Sequence, residues 1–425
     1  MSEQPAAEVA STRSVRVAGL DGLRGLAALS VLVTHVSGRT DYAWLSSRSF
    51  GPMMLFTLSG FLLYMPWARA HLGERTQPSV RTFAVRRFFR IFPAYWLVLG
   101  LVAVALAASR PVDMVGWVEA LGLAQIYDSQ GLRPSMEQVW SLGTEISFYL
   151  ALPLVAAALA GRRSVRRDPE RQARREVLLL LATIPATYAF RVFTHAADLD
   201  RTFTVTFWLP AFASSFAVGM ALSVLAVRVS QVPSAAPRLR ALANDDLAVL
   251  MAALAVFLIS ASAVAGPASY GPTTFAERQV RLTCAMAIAA LLILPLALGD
   301  GRGGWSRWLR TRGLDYLGRT SYGIYLWHLP VIALLVRNAA FPTGPAGLVW
   351  LLSLTLAISV PLAALTYHLV ELPSISLSRR LTPSTPDVAV SVRDILLRRR
   401  RPSRAVAMPS QISGTSAAPA PSAMP

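Results

Sequence analysis

Ten apolar stretches of roughly 20 residues each constrain this chain more than any other feature. They fall near 19–37, 50–69, 90–109, 139–160, 177–196, 203–227, 246–266, 280–298, 319–337 and 347–370. A run of that length matches the hydrocarbon thickness of a bilayer, where every backbone polar group has to be bonded within the chain. Each stretch therefore reads as an α-helix, and the expected fold class is all-α: a polytopic membrane protein of about ten transmembrane helices. Composition agrees, because 54% of the 425 residues are hydrophobic and only 15% are charged. An eleventh stretch, 113–127 (DMVGWVEALGLAQIY), is shorter and contains Asp113 and Glu119. It reads as interfacial or re-entrant.

The formal net charge of +18 raises nucleic acid as a partner, so the placement of the charge decides. All 41 basic residues are arginine. With the N-terminus in the cytoplasm, 32 of them fall on the inner side and nine on the outer, and the bias alternates loop after loop. The segment GRRSVRRDPERQARR (161–175) is the densest inner loop. The basic charge is thus an orientation signal, which places both termini in the cytoplasm and the chain in the plasma membrane as a multi-pass protein, with lipid rather than nucleic acid around it. The first span lacks an A-x-A-like cleavage site, so it is expected to stay attached. Residues 1–17 read as a polar tail, 18–375 as the membrane domain, and 376–425 as a disordered, Ser/Pro/Ala-rich tail with a basic patch, RDILLRRRRPSR. A single cysteine, Cys284, excludes an internal disulfide, and no Cys or His cluster has metal-ligand spacing.

Several polar residues lie where lipid would penalise them. An Arg or Asp at the centre of a spanning helix costs about 2.5–3.5 kcal/mol on insertion scales, so such groups usually face a partner or a wet cavity. At about 100° per residue, Asp21, Arg24 and His35 in LDGLRGLAALSVLVTHVSG (20–38) share one stripe, with His35 roughly 16 Å outward of Arg24. Taken alone, the same helix also fits interfacial snorkelling by Asp21 and Arg24. In VRRFFRIFPAYW (85–96), Arg87 and Arg90 are three apart on one face, where guanidinium forks suit phosphate oxygens. WSLGTEISFY (140–149) carries Glu145, with Ser141 one turn away. In SYGIYLWH (321–328), spacings of four and seven put Ser321, Tyr325 and His328 on one side. The other histidines, His71, His195 and His368, lie in loops or near span ends and read as structural.

DGLRG followed by His35, then LSGF (58–61), RRFFRIFPAYW, WSLGTE, SYGIYLWH and finally Glu371 with Pro373 in VELP, together resemble the acyltransferase-3 family of integral membrane O-acyltransferases. The resemblance covers roughly residues 18–375. It implies transfer of an acyl group, commonly acetyl, from acyl-CoA to a hydroxyl on a carbohydrate or other acceptor. No cofactor is expected to be bound permanently, acyl-CoA being a co-substrate. Residue by residue, His35 matches the family's catalytic histidine, and Arg24, Arg87 and Arg90 match arginines linked to acyl-donor handling. Glu145 matches the acidic residue of the W-S-L-x-x-E motif. Asp21, Tyr325, His328 and Glu371 match common family positions. Some members continue into an extracytoplasmic hydrolase-like domain, whereas here a short basic tail follows the last span. Acceptor recognition is then expected in the membrane domain or in a separate protein.

On this reading acyl-CoA approaches from the cytoplasm with its phosphates on Arg87 and Arg90, and His35 acts as general base on the acceptor hydroxyl. Glu145 is expected to orient His35 or a neighbouring arginine, and Tyr325 or His328 to donate to the developing oxyanion. Asp21 is expected to hold Arg24, and Ser141 to support the site. The acceptor classes that fit are a polysaccharide, a lipid-linked sugar and a macrolide-like metabolite. A secondary transporter or exporter with a buried polar pathway is the alternative.

Overall fold

The computed structural model describes residues 19–46, 49–128, 131–161, 168–202, 204–267, 273–338 and 342–382. The tail expected at 1–17 lies outside these residues, as do residues 383–425 of the tail expected at 376–425. The helices of eight residues or more are α1 (Leu20–Ser37), α2 (Gly51–His71), α3 (Val80–Ala105), α4 (Met114–Gly122), α5 (Trp140–Leu159), α6 (Pro169–Leu181), α7 (Thr183–Ala196), α8 (Ala213–Gln231), α9 (Pro237–Asn244), α10 (Asp246–Ala261), α11 (Phe275–Leu298), α12 (Arg312–Asn338), α13 (Gly344–Thr366) and α14 (Leu372–Leu381). No strand occurs among the described residues. The fold is all-α, as the apolar runs require.

Among the described residues, seven helical runs are long and apolar enough to cross a membrane, and an eighth if α9 and α10, bent by 89°, are one span. The two further stretches expected to span, 19–37 and 319–337, fall on α1 and α12. Their apolar character is diluted by the polar residues that form the site described below. α4, nine residues long, is too short to span and exposes Met114, Val115 and Val118.

Several boundaries differ from the expected ones for local reasons. α3 starts at Val80 because the Ser79 side chain caps it by accepting from the Thr82 amide, so Arg87 and Arg90 lie within the helix rather than at its start. α6 starts at Pro169 behind an Asp168 cap. Residues 204–211 form short 3-10 turns, leaving α8 to begin at Ala213. α14 carries helix through Leu381, past the domain boundary expected at 375.

Glycines set the closest helix contacts. On α2 a β-carbon at Gly60 would lie 2.0 Å from the Phe216 carbonyl oxygen of α8, and one at Gly219 would lie 1.9 Å from the Thr57 carbonyl oxygen. α1 meets α12 in the same way: a β-carbon at Gly318 would lie 1.8 Å from the Asp21 carbonyl oxygen. Lipid offers no hydrophobic force between helices, so small residues that allow close backbone approach drive such packing. Phe56, Phe148 and Phe216 complete the α2–α5–α8 core as a stack with ring centroids 4.7 and 4.1 Å apart. Six prolines, at 66, 93, 153, 295, 330 and 361, sit inside helices, where neighbouring groups have to serve the carbonyls they release.

Gly219→Ala is expected to destabilise the detergent-solubilised protein by about 1–3 kcal/mol through overpacking. Gly100→Ala on α3, where a β-carbon meets nothing within 4 Å, is expected to leave stability unchanged or slightly raised. Thermal unfolding of both variants checks the pair.

Candidate active site

The polar residues gather at two depths along α1. At the inner level Arg24 of α1 meets the charges of Arg90 on α3, of Asp21 one turn back, and of Glu145 on α5. Arg90 Nη1 forms an ion pair with Glu371 Oε2 at 2.6 Å. Glu371, 1% exposed, closes a π-helical turn, Tyr367–Glu371, between α13 and α14. Such turns widen a helix locally and are frequent at functional sites. The Arg90 guanidinium also lies 5.9 Å from the Tyr322 ring centroid, and Tyr322 donates its hydroxyl proton to the Ile91 carbonyl at 2.9 Å.

Glu145 faces this cluster but binds neither histidine among the described residues. Its Oε1 accepts from Ser59 Oγ at 2.5 Å and from Tyr149 Oη at 2.7 Å. The Tyr149 ring, in turn, sits in the fields of Arg87 and Arg24. Glu145 therefore belongs to the arginine cluster and does not orient His35, the other role expected for it. Two buried atoms at this level have no partner among the described residues, Arg87 Nε and Glu371 Oε1. Unmatched charge-bearing groups of both kinds leave the inner cluster receptive to a charged ligand.

At the outer level His35 pairs with His328 of α12, which is 1% exposed. His35 Nδ1 lies 2.9 Å from the Val31 carbonyl and 3.1 Å from His328 Nε2. His328 Nδ1 lies 3.2 Å from the Ile324 carbonyl. A carbonyl only accepts, so in each neutral ring the proton is assigned to Nδ1. His328 Nε2 then offers a lone pair to the His35 N–H, which is shared with Val31. His35 Nε2 is left unprotonated and makes no hydrogen bond among the described residues. The network thus selects the tautomer a general base needs and leaves its lone pair free.

Tyr325 is committed elsewhere. Its hydroxyl donates to the Gln138 carbonyl and accepts from Ser141 Oγ at 2.6 Å. Neither Tyr325 nor His328 is free in this arrangement to donate to an oxyanion, contrary to the expectation for those residues. Their protons are held by backbone carbonyls instead. Tyr325 stands 5.7 Å from His328, ring centroid to ring centroid.

Nearly every residue singled out from sequence falls at one of these two levels. Arg24, Arg87, Arg90, Glu145, Asp21 and Glu371 gather at the inner one, and His35, His328, Tyr325 and Ser141 at the outer. Among the described residues Ser321 bonds only its own helix, at the Gly318 carbonyl. Sequence reasoning missed Ser59, Tyr149, Tyr322 and Gln138. Ser59 lies inside the quoted LSGF string, and Tyr149 is four residues after Glu145, so both were within reach of helical spacing. Away from the site, His71 forms a buried set with Glu176 (2.8 Å) and Tyr64, His195 pairs with Asp200 (2.9 Å), and His368 approaches the Tyr316 hydroxyl.

A family model described as an acyltransferase domain matches residues 17–367. Among individual proteins, Acyltransferase MdmB of Streptomyces mycarofaciens is 29% identical over 89% of this chain and 97% of its own length. Protein YrhL of Bacillus subtilis is 27% identical over 84% of this chain and 54% of its own length. Peptidoglycan O-acetyltransferase OatA of Listeria monocytogenes is 24% identical over 84% of this chain and 55% of its own. The chain thus spans about half the length of the latter two. No solved structure matches it significantly. With the model match covering most of the chain and the polar motifs gathered into one two-level site, the chain belongs to the acyltransferase-3 family, whose members are polytopic membrane proteins.

Proposed function

We propose that the chain is a membrane-embedded O-acyltransferase that moves an acyl group, acetyl in the simplest case, from acyl-CoA to a hydroxyl of a carbohydrate or secondary-metabolite acceptor. The observation that carries this reading is the free Nε2 lone pair of His35, held by His328 on the same helix as Arg24 but roughly 16 Å further along it. Separated in this way, an arginine-rich donor end and a basic imidazole suit a long donor with charge at one end and a thioester at the other. The named activities of MdmB and OatA support acyl transfer, and OatA supports a hydroxyl acceptor.

In this mechanism the donor phosphates approach from the side that the arginine pattern makes cytoplasmic. Arg87, with its buried Nε unpaired among the described residues, is the first contact, because Arg90 is already engaged by Glu371. His35 Nε2 takes the proton of the acceptor hydroxyl as that oxygen attacks the thioester carbonyl. The C–S bond then breaks, and the departing thiolate of coenzyme A recovers the proton from His35. His328 keeps the base in its productive tautomer, and Glu145, through Ser59 and Tyr149, braces the wall beside Arg24 and Arg87.

Purified full-length protein given labelled acetyl-CoA and bacterial envelope or metabolite extract is expected to transfer label, and His35→Ala to lower transfer by at least about 10²-fold. Undiminished transfer by His35→Ala would remove the base from the mechanism. Uptake of a solute into liposomes without any acyl-CoA turnover would favour the transporter.

Arg87→Ala is expected to raise the donor KM about 10- to 100-fold, the loss of a hydrogen bond to a charged group worth about 1.5–3 kcal/mol, with kcat little changed. Arg90→Ala is expected to raise it less. Equal effects, or an unchanged KM in both, would contradict the phosphate assignment.

A further inference from the structure

The α12 segment carrying His328 contains a defect in its own hydrogen bonding. Pro330 lies inside the helix and has no N–H, so the Leu326 carbonyl, four residues earlier, loses its helical donor. That carbonyl is not left bare: Gln138 Nε2 donates to it at 3.1 Å across the interface with α12. Because Leu326 O only accepts, the amide orientation is fixed, with the NH2 toward α12. Gln138 is 1% exposed, and its Oε1 has no partner among the described residues. The amide therefore makes its only described side-chain bond at the carbonyl that Pro330 releases. The same residue holds α12 a second time, through its backbone carbonyl, which accepts from the Tyr325 hydroxyl.

We propose that Gln138 is a positioning residue for the histidine pair: by serving the Leu326 carbonyl and anchoring Tyr325, it holds the proline-interrupted stretch of α12 so that His328 Nε2 stays on His35 Nδ1. His328 lies between Leu326 and Pro330, on the part of the helix with the weakest internal support. Tyr325 and Leu326, the two residues Gln138 grips, lie within one turn before it. Removing the side-chain donor leaves a carbonyl unserved in a dry interior, where the chain shifts or admits water to satisfy it. A displacement of about 1 Å is enough to cost catalysis on the order of 10²-fold. This inference rests on the reading of His35 as base, but its first readout does not require turnover.

The test uses the purified full-length protein, with ¹⁵N-labelled histidine, in nanodiscs. His35→Ala and His328→Ala assign the two imidazoles. In the wild type both rings are expected to show a protonated Nδ1 and an unprotonated Nε2. Gln138→Met, which keeps shape and removes the donor, is expected to shift the His35 and His328 nitrogen signals and to lower release of coenzyme A from acetyl-CoA 10- to 100-fold at unchanged donor KM. Pro330→Ala supplies a backbone N–H for the Leu326 carbonyl. In that background Gln138→Met is expected to cost less than a third as much, in turnover and in signal shift, as it does alone.

Unchanged imidazole signals in Gln138→Met would overturn the proposal, as would an equal loss with and without Pro330→Ala. Should Gln138→Met fail to fold, the double variant is expected to fold, and failure of both would also overturn it. If the wild type turned over no acetyl-CoA, the reading of function would fail, while the nitrogen signals would still decide the role of Gln138.

Discussion

The close approach of α1 to α12 is the contact on which the site depends. Gly318 lets the α12 backbone come against the Asp21 carbonyl, and Gly22 receives the Leu309 carbonyl just before α12, where a β-carbon would stand 2.1 Å away. With the two backbones locked at the inner end, the polar stripe of α1 is turned along its length toward α12. His35 then meets His328 at the outer end, and Arg24 meets the charges on α3 and α5 at the inner. A bulkier seam would separate the helices and break the histidine pair before it touched any residue of the chemistry.

The second organising constraint is that lipid leaves no polar group cheaply unsatisfied. Within the bundle, that rule draws the polar residues of the site into networks. Glu145 is met by Ser59 and Tyr149, Arg90 by Glu371, and the carbonyl released by Pro330 by Gln138. Three of the exceptions to it bear on the proposed chemistry. Arg87 Nε and Glu371 Oε1 are buried without partners among the described residues, and His35 Nε2 keeps its lone pair. A donor anion would complete the pattern at Arg87 Nε and an acceptor hydroxyl at His35 Nε2, whereas Glu371 Oε1 calls for a hydrogen-bond donor.

Much of this was legible in the sequence because membrane physics leaves few choices. Apolar runs of bilayer length located the helices, and helical spacing put Asp21, Arg24 and His35 on one stripe. What stayed hidden depends on contacts between distant segments. Nothing local in SYGIYLWH says that Tyr325 gives its proton to the Gln138 carbonyl, or that His328 serves as acceptor to His35 rather than as donor to an oxyanion. Of the two partners expected for Glu145, His35 or a neighbouring arginine, it is the arginine cluster that Glu145 faces, a choice that spacing within one helix cannot reveal. The π turn ending at Glu371 was invisible for the same reason, whereas a proline four residues after Leu326 was a signal that some outside donor had to exist.

The central claim is that one molecule of acyl donor bridges both levels of the site. A cryo-EM structure of the full chain with a non-hydrolysable acyl-CoA analogue tests it most directly. The account predicts the phosphates against Arg87 and the acyl carbonyl within about 4 Å of His35 Nε2, near-attack range for an incoming hydroxyl. An analogue bound with its acyl end away from His35, or with its phosphates remote from the arginine cluster, would contradict it.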